Sequence, residues 1–324
     1  MKRRSLTLSA AALALLAAPL AGHAQQGFPE KPITFVVPFA AGTATDQIAR
    51  ALGNSITAET KQPVVIDNKA GASGFIASQQ IAKAPADGYT VLITTNTTHA
   101  ANEHLFKKLP YDPVKDYAPV AALGKGGQIM VVNPSFPAKS VAEFIALAKK
   151  EPGKYSFGSG SSSSRMAGEL LQQMADIRLL HVPYKSNTLA VTDLLGGQIH
   201  MMITDAATGL PQVKAGKLRA LGVSGAARSP LAPEVPTIAE AGVKGYEMGY
   251  WFAAYAPAKT PPAVVKRLNE LLVKAAKSES AKAAFYEPTG TEVFTSSPEE
   301  LAKFQTAESQ KWGRIVKAAG IEAE

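Results

Sequence analysis

Apolar residues along the chain fall into short runs that alternate with helical spacings. Ile33-Thr34-Phe35-Val36-Val37 is continuous and rich in β-branched and aromatic residues, which predicts a buried strand. A polar loop from Pro38 to Asp46 follows, and then Ile48, Leu52 and Ile56 recur every fourth residue, the spacing of one helical face. Val64-Val65-Ile66 predicts the next strand. The Gly-rich stretch 67–74 leads into a helix through Ile76 and Ile81, and the Asp87-Gly88 turn leads into a strand from Tyr89 to Thr94. Strand–helix alternation of this kind predicts parallel βαβ units.

A second series of the same layout begins near residue 124. Strands are predicted at Gln128 to Val132, Tyr155 to Phe157, Leu179 to Val182, Ile199 to Ile203 and Ala220 to Val223. Between them, Ser140-Val141-Ala142-Glu143 has the spacing of a capping box, and Leu170, Leu171 and Met174 mark a helix after a serine-rich loop. The last third turns helical. Thr260-Pro261 reads as an N-cap followed by proline at the first helical position, with Val264, Leu268, Leu271 and Leu272 as the buried face. Ser297-Pro298-Glu299-Glu300 is a second capping box. The pattern is that of two α/β lobes.

Composition changes this picture at the N-terminus. Lys2, Arg3 and Arg4 precede an apolar Ala/Leu stretch from Leu6 to Leu20, and Gly22-His23-Ala24 supplies small residues where a signal peptidase reads. Residues 1–24 therefore read as a secretory signal peptide. The stretch is too short to span a bilayer, which takes about 20 apolar residues, and Pro19 interrupts it. Removing this segment lowers the formal charge from +8 to +5 and leaves a soluble, exported chain.

Several chemistries are excluded. The chain of 324 residues has no cysteine, hence no disulfide framework, thiolate nucleophile or cysteine-ligated metal. It carries no G-x-S-x-G elbow, no P-loop and no G-x-G-x-x-G after a strand. His99, His104, His181 and His200 are not spaced as metal ligands, so no metal or other cofactor is expected. Lysine and arginine are scattered, without the basic stripe that nucleic acid demands.

What remains is a set of small, polar loops that open helices. In Ala40 to Asp46, Gly42 permits a sharp turn, and Thr43, Thr45 and a helix N-terminus together attract an anion. An ordinary turn with Thr45 as N-cap reads equally well. In Phe157 to Arg165, Ser159, Ser162, Ser163 and Ser164 offer hydroxyls and Arg165 a guanidinium that can hold a carboxylate. Asn96-Thr97 and Thr204-Asp205 follow strands, where open α/β sheets take their ligands. Tyr250-Trp251-Phe252 is an aromatic cluster near the lobe junction, readable as core or as a ligand platform.

These residues carry a family resemblance. Pro29 to Asp46 (PEKPITFVVPFAAGTATD), Gln62 to Gly74 (QPVVIDNKAGASG), Asp87-Gly88-Tyr89-Thr90, His181 to Gly197 (HVPYKSNTLAVTDLLGG), Glu234-Val235-Pro236-Thr237 and Ala256 to Pro261 span the chain in order. The chain resembles the Bug-type periplasmic substrate-binding proteins of tripartite tricarboxylate transporters. The resemblance implies a two-lobed periplasmic binding fold, with a ligand cleft between two Rossmann-like lobes joined by a hinge. It implies lobe 1 at 25–123 plus 248–324, lobe 2 at 124–247, and no catalysis. It also implies a monomer that closes on an organic carboxylate, partly through water, and delivers it to two integral membrane permease subunits. Asp46 belongs to the matching loop of the first lobe. The sequence departs from the family where Thr43 stands for a second glycine, Arg165 for a histidine and Ser186 for a glycine, the first two of which add donors.

Arg165 and the donors together favour a dianion. Phe39, Trp251 and Phe252 are placed to flank a flat spacer, so an aromatic dicarboxylate such as a phthalate isomer is the expected ligand. The competing expectation is an exported α/β hydrolase acting on an ester or sugar, for which Ser163 with His181 is the one nucleophile–base pairing available.

Overall fold

The computed structural model describes residues 27–318 and 320–323. The expected signal peptide and its cleavage site lie outside the described residues. Among those described, no helix is long and apolar enough to cross a membrane.

Ile33–Val37 (β1) pairs in parallel with Val64–Asn68 (β2) on one side and Thr90–Thr95 (β3) on the other. Its apolar run is buried because helices cover both sheet faces. Ala44–Thr60 (α1) packs Ile48, Leu52 and Ile56 on one face, and Phe75–Ala82 (α2) packs Ile81 on the other. The next helical turns, Thr97–Ala101 and Asn102–Leu105 (α3), follow β3 directly.

The strand expected at Gln128 to Val132 is the end of a much longer one, Tyr117–Val132 (β4). Pro119 and three glycines break the apolar pattern of its first part, and the register shifts at Pro119/Ala121 and Ala122/Gly124. Residues 117–127 pair antiparallel with Gly249–Pro257 (β9), which also pairs with β3. Residues 128–132 pair instead with Met201–Asp205 (β7) and Arg219–Val223 (β8). One strand thus serves both halves of the sheet, in which β2-β1-β3-β9-β4-β7 lie side by side in that order and two further strands follow β7. The outer strands of the second half, Ser156–Ser159 (β5) and Leu180–Pro183 (β6), are parallel to each other, and β5 is parallel to β7.

The chain crosses between halves at Gly127–Gln128 and again at Met248–Gly249. Ser224 ties the two crossings together: its hydroxyl accepts from Gln128 N at 2.7 Å and donates to the Met248 carbonyl oxygen at 2.5 Å. The second half carries Val141–Lys150 (α4), Ser162–Ala175 (α5), Asn187–Leu195 (α6) and Ala206–Lys214 (α7). Pro262–Ala276 (α8) returns to pack against α1. The C-terminal helix Pro298–Ala318 buries Leu301 and Trp312 and packs Phe304 on Trp251 in the first half.

Capping chemistry explains where several helices begin. Ser140 accepts from Glu143 N at 3.2 Å, and at the C-terminal helix Ser297 and Glu300 exchange both bonds of a capping box. Two expected starts are corrected. Pro261, not Thr260, is the residue before α8, with Pro262 at its first position. Helix α1 starts at Ala44, so Thr45 lies inside its first turn and Thr43 holds the capping position. The serine-rich loop is also shorter than expected, because Ser162, Ser163, Ser164 and Arg165 already belong to α5 and Ser161 caps it.

Candidate functional site

The N-termini of α1 and α5, one from each half, converge on a small pocket of about 30 Å³ whose lining includes Thr43, Thr45, Ser161, Ser163 and Gln128. A cavity of this size holds about two waters or one carboxylate group. Above it, sharing Phe39, Gly160 and Ser161, opens a cleft of about 400 Å³. One wall of this cleft comes from the first half, with Pro38, Phe39, Leu105 and Phe106. The opposite wall comes from the second half, with Ser159, Ser162, Arg165, His181 and Lys185.

The end of α1 is built to face an anion. Thr43 occupies the capping position, but its hydroxyl donates to the Ala40 carbonyl oxygen at 2.7 Å and accepts nothing from the helix. The first-turn N–H groups are left without a side-chain cap, and such groups with the helix dipole favour negative charge. Gly42 makes the turn with φ of +81°, open to glycine at little cost. Asp46 does not face the pocket. Its buried carboxylate accepts from Gly42 N (2.9 Å), Arg50 (3.0 and 2.9 Å) and Asn68 (3.0 Å), while Asn68 also holds the Phe39 carbonyl. Burial opposes its ionisation, but these hydrogen bonds outweigh it and hold the carboxyl below its ordinary range.

In the second half, each serine has a different task. Ser159 Oγ lies 2.8 Å from His181 Nε2 at the cleft wall. Ser161 accepts from Ser164 N as the cap of α5. Ser162 donates to Asn102 across the cleft at 2.8 Å. Ser163 faces the small pocket, 3.2 Å from Ser161 Oγ. Ser164 is turned away and donates to the Ile203 carbonyl oxygen at 2.5 Å. Asn187 supports this loop by accepting from Gly160 N at 2.9 Å and donating to Asp205 at 3.0 Å. Asp205 lines the small pocket, yet its oxygens are occupied by Thr208, Asn187 and Thr204. It holds the loop in the second half as Asp46 does in the first.

Other expected site residues lie off the cleft. Asn96 is fully buried and donates to the Gly249 carbonyl, bracing the crossing. Thr97 is fully buried in the following turn, and Thr204 in β7. Ser186 caps α6, accepting from Leu189 N. Trp251 packs on Phe304 and donates to Glu308, so it is core rather than a ligand platform. Successive residues of a strand face opposite sides, which is why its neighbours Tyr250 and Phe252 reach the small pocket and Trp251 does not.

Arg165 lines the larger cleft as expected, but its Nε lies 3.8 Å from Glu169, one turn along α5. Burial pushes the Glu169 carboxyl up, against the pull of Arg165. The guanidinium charge is therefore shared, and the excess positive charge of the cleft comes from exposed Lys185 as well. Sequence reading missed Gln128, Ser161, Asn187 and Asn102. Gln128 is almost fully buried at the small pocket, and its side-chain oxygen has no partner.

The expected hydrolase pair is not assembled, since His181 meets Ser159 and Ser163 meets Ser161. His99 is a core residue: burial holds it at about 3, and its ring stacks on Tyr255 at 3.9 Å. Among the described residues no group of histidine, aspartate and glutamate is placed to hold a metal.

The model of the TctC family, the tripartite tricarboxylate transporter family receptors, matches residues 48–321. A UPF0065 protein from the tcbD–tcbE intergenic region of Pseudomonas sp. strain P51 is 36% identical over 97% of this chain and 94% of its own. Among solved structures, adipate-bound Rpa4515 of R. palustris superposes with a TM-score of 0.89 at 35% identity, over 92% of this chain and all of that one. Malate-bound MatC of Rhodopseudomonas palustris gives 0.84 at 30%, over 89% and 100%. The matching family is one of receptors rather than enzymes, which withdraws the hydrolase reading along with its missing pair. A family match over most of the sequence, with relatives aligned along nearly their whole length, settles membership: the chain belongs to the tripartite tricarboxylate transporter receptor family.

Proposed function

We propose that the chain is a periplasmic receptor that captures an organic carboxylate between its two halves and delivers it to the two integral subunits of a tripartite tricarboxylate-type permease. The observation that carries this reading is the uncapped N-terminus of α1, which meets the N-terminus of α5 at a pocket of carboxylate size. One carboxylate sits there, bound by N–H groups and hydroxyls without a cation. The rest of the ligand lies in the larger cleft, along Phe39 and Phe106, with its far end toward Arg165 and Lys185.

That arrangement supports an aromatic dicarboxylate such as a phthalate isomer. The ring rests on Phe39 and Phe106 rather than on Trp251. A second reading, an aliphatic dicarboxylate, is favoured by the adipate and malate bound in similar structures. A thermal-shift panel of aromatic and aliphatic mono-, di- and tricarboxylates and amino acids separates the two, because a ligand well above its dissociation constant raises the melting temperature. A phthalate isomer should give the largest rise. A rise with adipate or malate and none with any aromatic acid would overturn the aromatic reading and leave the receptor reading standing. Arg165→Ala should weaken phthalate binding by roughly ten- to a hundredfold, the worth of a charge-assisted contact. Glu169→Gln, which removes the negative charge beside the guanidinium, should strengthen it, and calorimetry reads both.

A further inference from the structure

Most polar side chains at the cleft bond within their own half, but Ser162 does not. Its hydroxyl, at the first position of α5, donates to Asn102 Oδ1 in the opposite half at 2.8 Å. Both residues are buried, Asn102 completely. Ser161, not Ser162, caps α5, so the Ser162 hydroxyl is not needed to start the helix.

The acceptor is fixed before Ser162 arrives. Asn102 Nδ2 donates to the Ser73 carbonyl oxygen at 2.9 Å and to Tyr111 Oη at 3.2 Å. Tyr111 spends its own proton on the Thr98 carbonyl oxygen at 2.8 Å, so toward Asn102 it can only accept. Two obligate acceptors hold the amide nitrogen, and the amide oxygen is thereby aimed at α5. Ser73 belongs to the loop that lines the larger cleft, and it holds a left-handed backbone with φ of 52°. The Ser162 bond therefore joins the cleft wall of the first half to the N-terminus of α5 that faces the small pocket.

We infer that Asn102 and Ser162 form a latch that holds the two halves closed in the absence of ligand, with Tyr111 and Ser73 as the residues that set it. The inference rests on the reading that the halves move about the crossings at Gly127–Gln128 and Met248–Gly249. It needs no particular ligand. When the cleft opens, Asn102 Oδ1 and Ser162 Oγ exchange each other for water, so the latch adds a modest bias to closure rather than locking it. A neutral hydrogen bond of this kind shifts the closed-to-open ratio by roughly two- to tenfold.

The chain has no cysteine, so labels can be placed at will. Lys108→Cys and Leu180→Cys put one spin label on an exposed position of each half. Double electron–electron resonance on the ligand-free protein should show a closed distance among those populated. Adding Ser162→Ala should move population to longer distances by the factor above. Tyr111→Phe, which frees the Asn102 amide to turn, should move it the same way by less, and it serves as the second variant if the first is poorly folded. Distributions unchanged by both variants, or a ligand-free protein that shows only the open distance, would overturn the latch. Because no ligand enters the measurement, its failure leaves the carboxylate reading intact, and a failure of ligand binding leaves the latch intact.

Discussion

Gly160→Ala should abolish binding and destabilise the protein by about 3 kcal/mol, at the upper end of what overpacking costs. A Cβ on residue 160 would lie 1.8 Å from the Ser186 carbonyl carbon and 2.1 Å from Asn187 N. Both are backbone atoms, so no change of rotamer relieves the clash and the start of α6 must move. Gly160 is shared by the small pocket and the larger cleft, and its N–H is held by Asn187. Displacing it pulls Ser161 and Ser163 away from the pocket. Gly196→Ala is the control, since a Cβ there meets nothing nearer than 3.6 Å. Denaturant midpoints should separate the two variants clearly, and a Gly160→Ala protein as stable as the control would show that the close approach of the loop to α6 is wrong.

Asp46→Asn should loosen the other loop and cost about 2–3 kcal/mol at neutral pH, the range for hydrogen bonds to a charged group. The cost stays below that of breaking a fully buried ion pair because Arg50 is half exposed and hydrates when released. The carboxylate also holds Gly42 N and, through Asn68, the Phe39 carbonyl, so binding should weaken with stability. The pH dependence has a definite sign. The folded carboxyl ionises below its ordinary value of 3.8, so its contribution is fully present above that value and is lost as pH falls through the lower, folded one. The gap in melting temperature between wild type and Asp46→Asn should therefore be constant from neutral pH to about 5 and narrow below about 4. A gap that stays the same down to pH 2.5 would mean that Asp46 acts without its charge.

Where a physical signal was local, it could be read from the sequence. The run Ile33 to Val37, the fourfold spacing of Ile48, Leu52 and Ile56, and the Ser297–Glu300 box each specify their element without help from the rest of the chain. The first part of β4 could not be read, because Pro119 and glycines 124, 126 and 127 carry no apolar alternation. Its pairing with β9 comes from a strand more than a hundred residues away. The same limit applies at the site. Polar residues after strands were visible as a group, but not which way each one faces. Thr43, Thr45 and Ser163 reach the small pocket, while Asp46, Ser164 and Asp205 spend their oxygens and hydroxyls on the loops that hold it. The sequence shows Arg165 as a lone charge, and only the helical turn brings Glu169 beside it. Asn102 and Gln128 gave no signal, since an isolated amide acquires its meaning from what the fold places opposite it.

We propose that a carboxylate group, as an anion, is what the α1 and α5 N-termini bind. Isothermal calorimetry on matched pairs tests it most directly: each acid that raises the melting temperature is compared with its own amide, which keeps the shape and loses the charge. Saturable binding of the acid is expected, with a loss of at least about tenfold for the amide, the lower end of a charge-assisted contact. Equal affinity for acid and amide, or no binding by any carboxylate in the panel, would contradict it.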